Sequence, residues 1–132
     1  MPTYVLTVEA PADTAEADAV RDELRLPAGI VIDQVNIHVP VGNQATAPFR
    51  LEVNGAPWLP TPRGDGSETA FRLDDVAYQD VLAASVHLRR TTRLALVAWN
   101  EDTVNDHTVR VVVVARYEHE VPSDELSRVP EA

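Results

Sequence analysis

The chain is a succession of short alternating runs, each stopped by proline, glycine or an Asn-Gly turn. Long apolar stretches of helical period, which a parallel α/β layer would need between its strands, are missing. Residues 3–8 form the first strand, with Tyr4, Leu6 and Val8 on one face and Pro11 ending it. Asp13 with Glu16 looks like a helix N-cap pair, yet Val20, Leu24 and Leu26 share a strand face. A loop over 10–19 followed by a strand is therefore expected. Residues 29–39 give the clearest strand: Val31, Val35, Ile37 and Val39 on one face, Gln34, Asn36 and His38 on the other. Phe49, Leu51 and Val53 alternate with Arg50 and Glu52, and Asn54-Gly55 then signals a hairpin. Pro60 and Pro62 confine the segment at Trp58-Leu59 to a sheet edge.

Further on, 63–69 reads as a polar loop, 70–73 as a short strand and 74–79 as a turn or a single helical turn. Residues 81–88 read as a strand or short helix with Ala84, Val86 and Leu88 inward and Ser85 and His87 outward. Residues 94–99 are apolar on both faces, 100–107 are a polar loop, and 109–117 are the longest β-branched run. The tail from Glu118, with its acids and prolines, reads as an extended or disordered arm. About eight strands at this spacing predict an all-β fold, an antiparallel β-sandwich of jelly-roll type. It is one domain: 1–19 an N-terminal strand and loop, 20–117 the sandwich core, 118–132 an acidic arm.

The chain has 132 residues, a net charge of −10 and no cysteine, and all 11 basic residues are arginine. Such acidity excludes a broad, sequence-independent phosphate footprint, so no nucleic-acid partner is expected. Lysine-free, acid-rich composition fits either a GC-rich genome or a high-salt setting, and the halophilic reading is preferred. No apolar run approaches a membrane span and no secretory h-region opens the chain. A product made soluble, with no membrane partner, is expected.

Catalytic chemistry finds little support. His38, His87, His107 and His119 fall in no zinc spacing, and His38 and His119 lie on outward phases. His107 beside Asp106 suggests at most a dyad at a loop edge. No serine sits in a nucleophile elbow, so an enzyme is not expected and no catalytic residue is assigned. Asp74, Asp75, Asp102 and Asp106 are hard oxygen ligands in loops, and are weak candidates for calcium; otherwise no metal or cofactor is expected.

Three features point to binding or assembly. Trp58, flanked by prolines, and Arg63 in the following loop are the candidate ligand contacts. Arg89, Arg90 and Arg93 form the only basic cluster, suited to pairing with acids of a neighbouring subunit or of the same chain. Val97 and Trp99 oppose Leu94 and Leu96, and Val112 and Val114 oppose Val111 and Val113, so two strands carry apolar residues on both faces. Such strands are normally covered on both sides, so the surplus face is expected to be an oligomer interface unless the N-terminal segment or the 60–80 loop covers it.

The run Leu26-Pro27-Ala28-Gly29-Ile30 followed by Val35-Asn36-Ile37-His38-Val39-Pro40-Val41-Gly42 resembles small single jelly-roll virion proteins of tailed viruses of archaea and bacteria. So do 51–60, with an Asn-Gly turn and a Trp-Leu-Pro segment, and Trp99-Asn100 followed by His107-Thr108-Val109-Arg110-Val111. The resemblance spans about 20–117 and lies in turns and alternation. It implies a virion location and a capsid decoration, turret or spike role as a homo-oligomer, a trimer or pentamer, alongside other virion proteins. The alternative is a carbohydrate-binding, lectin-like sandwich using Trp58 and the 63–69 loop.

Overall fold

The computed structural model describes residues 1–62, 64 and 69–131. Among the described residues nine strands form: β1 (Thr3–Ala10), β2 (Val20–Leu26), β3 (Ile30–Val39), β4 (Phe49–Val53), β5 (Ala56–Leu59), β6 (Val76–Asp80), β7 (Val86–Leu88), β8 (Thr92–Ala98) and β9 (His107–Tyr117). One antiparallel sheet runs β1-β9-β3-β6 with β7 also on β3, and the other runs β2-β8-β4-β5. β6 pairs with the end of β3 and β7 with its beginning. The two are halves of one interrupted strand, and counting them so leaves eight. Apart from the β4-β5 hairpin, successive strands then alternate between the sheets, in the order of a jelly roll, two Greek keys closed face to face.

The sequence dictates most of this. Asn54 and Gly55 have φ of +50° and +84°, the two left-handed residues of a type I′ turn, whose twist matches the flanking strands. Leu6, Val8, Leu51, Leu94, Leu96, Val109, Val111 and Val113 lie on the inner faces their alternation predicts, packed with Phe49, Val35, Ile37 and Val39. The 10–19 segment is the expected loop, with a single 3₁₀ turn at Glu16–Asp18.

Five expectations need correction. The register of β3 against β9 shifts between Ile32 and Gln34. This bulge at Asp33 puts Ile30 and Ile32 in the core and turns Val31 to the outer face, although alternation grouped Val31 with Val35. Residues 70–73 are not a strand: Phe71 makes one isolated bridge to Phe49. The expected turn at 74–79 mostly becomes β6, admitted by left-handed backbone at Asp75 and Tyr78. In 81–88 only Val86–Leu88 is strand, and Ala84 is exposed.

The tail is the fifth. It folds back rather than trailing away, through a 3₁₀ turn at Glu118–Glu120 and a short helix at Ser123–Leu126. Its acids find arginines: Arg116 donates to both Asp33 oxygens at 2.6 and 2.9 Å and to Glu125 at 2.9 Å. The backbone N–H of His87 donates to the carbonyl of Pro130 at 2.8 Å. Val121 is buried, and so are Val31 and His87 on the outer face of this sheet end. The low hydrophobicity that reads as disorder is offset by charge pairs whose partners lie far away in sequence.

Candidate functional site

The two outer sheet faces are built differently. On the β2-β8-β4-β5 sheet, Val97 and Trp99 are only 1% and 2% exposed within a single chain. Val97 sits between Arg21 on β2 and Arg50 on β4. Arg21 pairs with Glu52 at 3.2 Å, and Arg50 pairs with Glu52 at 2.9 Å and with Glu16 at 3.0 Å. The Arg50 guanidinium also stacks over the Trp99 ring at 5.4 Å. Burial works against its charge, but the bonds to Glu52 and Glu16 more than compensate and raise its pKa further. Long arginine stems thus roof the second apolar face of β8 while their heads pair in a lattice. The expectation that Val97 and Trp99 form an exposed interface is corrected: the chain covers them itself, in part with the N-terminal segment.

On the β1-β9-β3-β6 sheet the outer face stays open at its middle. Val112 and Val114 are half-buried, and beside them Val5 is 40% exposed. In register, Val5 stands opposite Val112, and Thr3 opposite Val114, on one side. Asn36 and Gln34 flank the same two valines on the other. Beyond them Tyr78, half-exposed, stacks on His38 with ring centres 5.0 Å apart. Sequence reasoning named Val112 and Val114 but missed Val5 and Tyr78. Val5 was visible as the apolar residue out of phase with Tyr4, Leu6 and Val8. Tyr78 is not visible in this way, because 74–79 reads as a turn or a single helical turn along the chain.

The acidic loop after β8 is an internally bonded turn. Asp102 accepts from the backbone N–H groups of Val104 at 2.9 Å and Asn105 at 3.2 Å, and bonds the His107 ring at 2.9 Å. These bonds, the Val104 one foremost, hold its carboxyl well below the usual carboxylate range. Asn100, fully buried, donates to the carbonyls of Ala10 and Asn105. His107 is therefore partnered by Asp102 and not by Asp106, which instead accepts from the N–H of Ala12. Among the described residues no group of three or more His, Asp or Glu is placed to hold a metal ion. Asp74 and Asp75 lie exposed before β6, and they and Asp102 and Asp106 are not gathered into such a group.

The basic cluster is divided. Arg89 pairs with Glu131 at 2.9 Å and Arg93 lies 3.8 Å from Glu23, both within the chain. The Arg90 side chain, exposed on the same turn, has no partner among the described residues. The turn borders a cleft of about 390 Å³ that also reaches Asn54 and Thr92. Trp58 is half-buried and packs against the core, so it is no open stacking platform. Arg63 lies outside the described residues. No helix among the described residues is long and apolar enough to cross a membrane.

Comparison with known protein families, with curated proteins and with solved structures returns no match. The jelly-roll assignment rests on strand order and register.

Proposed function

We propose that the chain is a structural, self-assembling jelly-roll module of a virus particle, joining copies through the outer face of β1, β9 and β3. The observation that carries the assembly reading is the distribution of charge. The molecule carries −10 overall. Across that face the outward positions in register are Thr3, Val5, Thr7 and Glu9, then Thr108, Arg110, Val112 and Val114, then Gln34, Asn36 and His38, with Asp80 at the edge. Away from the tail-covered end, where Arg116 and Asp33 pair and cancel, only Glu9, Arg110 and Asp80 are charged, so the open face nets a single negative charge. Identical acidic molecules repel, and they meet at least cost where like charge is lowest and apolar surface is exposed. The virion setting is supported by the jelly-roll order of strands and by the resemblance of 20–117 to small virion proteins. A trimer or pentamer with other virion proteins as neighbours fits that setting.

Size-exclusion chromatography with light scattering, in dilute buffer and in molar salt, tests the reading. An oligomer that persists in molar salt is expected, since salt strengthens apolar association and screens repulsion. Val112→Arg should reduce it to monomers while leaving the thermal transition in place. A native chain that is monomeric in both buffers overturns the assembly reading.

A second reading, a carbohydrate-binding module, now rests on Tyr78 rather than Trp58. Its ring is half-exposed on a polar sheet face, with Asn36 opposite Asp80 beside it. A monomer that binds a glycan through this face would favour it.

A further inference from the structure

We infer that the cleft beside β7 is a docking groove for an extended, carboxylate-bearing segment, and that its occupant in trans is residues 127–131 of a second copy. The groove is already occupied in cis. The N–H of His87 donates to the Pro130 carbonyl at 2.8 Å, and His87 and Glu131 form a parallel bridge. The Glu131 carboxylate accepts from Arg89 Nε at 2.9 Å. Main-chain pairing to a strand plus a side-chain anchor is the chemistry of strand addition at a sheet edge.

Three observations say that this occupancy is exchangeable. First, the anchor is weak: Arg89 and Glu131 are 62% and 54% exposed, where a lone ion pair contributes little. Second, the groove has capacity its cis occupant leaves unused. The Arg90 guanidinium has no partner among the described residues, and the Nδ1 of His87, buried in the floor, has none either. The other ring nitrogen, Nε2, is held by Glu118. Third, on a chain of net charge −10 this turn holds adjacent arginines, so it draws carboxylates that the rest of the surface repels. A segment from a second copy carries the same Pro130 carbonyl and Glu131 carboxylate, and can replace the cis one without new chemistry. The groove uses none of the residues of the flat valine face.

The test uses the full chain and a fluorescent peptide of residues 127–131, with blocked ends so that the glutamate supplies the only carboxylate. Glu131→Arg places like charge beside Arg89 and frees the cis segment. The tethered segment competes at roughly millimolar effective concentration. The labelled peptide should therefore bind the Glu131→Arg chain at least about tenfold more tightly than the native chain. Adding Arg89→Glu and Arg90→Glu should abolish binding, as should glutamine in place of the peptide's glutamate. Repeating the titration with Val112→Arg added separates this result from any failure of the flat-face reading. Absence of saturable binding to a folded Glu131→Arg chain overturns the inference. So does undiminished binding after the arginine reversals, or inorganic phosphate competing as well as unlabelled peptide, which would make the cleft a simple anion site. If Glu131→Arg does not fold, millimolar peptide on the native chain should shift the His87 and Arg89 amide resonances, and unchanged resonances overturn the inference.

Discussion

Asp102 shows how much one side chain can organise. Its oxygens gather two backbone N–H groups, the Asn105 amide and the His107 ring, and so fix the loop that hands β8 over to β9. The bonds need the ionised form, which is why the carboxyl titrates far below its ordinary range. A carboxyl lowered on folding contributes stability above its unfolded pKa, near 3.9, and loses that contribution as pH falls further. Asp33 has the same sign: burial raises its pKa, but Arg116 and Ser85 bond the charged form and lower it overall. Asp102→Ala should lower the thermal midpoint at neutral pH, and the gap from the native chain should begin to close below about pH 4. Melting curves from pH 7 to pH 2 decide this, and a gap constant down to pH 2 would remove Asp102's charge from the account. At Gly55 the argument is conformational. A Cβ there would meet nothing within 4 Å, so strain comes only from φ of +84°. Gly55→Ala should destabilise by about 1 kcal/mol in denaturant titration, the left-handed penalty of an L-residue.

At the scale of elements, the bulge in β3 joins two parts of the molecule. By turning Asp33 out of the ladder it gives Arg116 a bidentate partner, and Arg116 then reaches Glu125 in the tail. The tail is thus tied to the sheet at Arg116, at Glu118 on His87, and at Pro130 and Glu131 beside β7. Arg116→Ala leaves Asp33 part-buried with only Ser85, and removes the middle tie. Hydrogen exchange should then speed up at the Leu126 and His87 amides, while β4 and β8 remain protected. Equal exchange in the two proteins would mean that the tail is held by Val121 and the main-chain bonds alone. The Asn54-Gly55 turn and the phases of β1, β4 and β9 were legible because each depends on neighbours one or two residues away. The bulge was not, because one extra residue shifts a register that only the partner strand defines.

At the scale of the whole molecule, charge is sorted. Arginine and glutamate pair over the β2-β8-β4-β5 sheet, while the other sheet presents valine, threonine and amides with almost no charge. The sorting is why persistence of the oligomer in molar salt and its loss in Val112→Arg are the decisive whole-molecule outcomes. The sequence by itself determined the all-β class, the sandwich, the phases of β1, β4 and β9 and the surplus of apolar faces, since period-2 alternation and turn chemistry are local properties. Tertiary structure alone decided which surplus face stayed open. Val97 with Trp99 and Val112 with Val114 look alike along the chain. The first pair lies between strands that carry Arg21, Arg50 and Glu52, whose stems and charges close over it. The second lies between strands that carry Thr3, Val5, Gln34 and Asn36, too short to do so. Cover depends on what stands beside a residue across the sheet, and strand pairing, not sequence proximity, sets that.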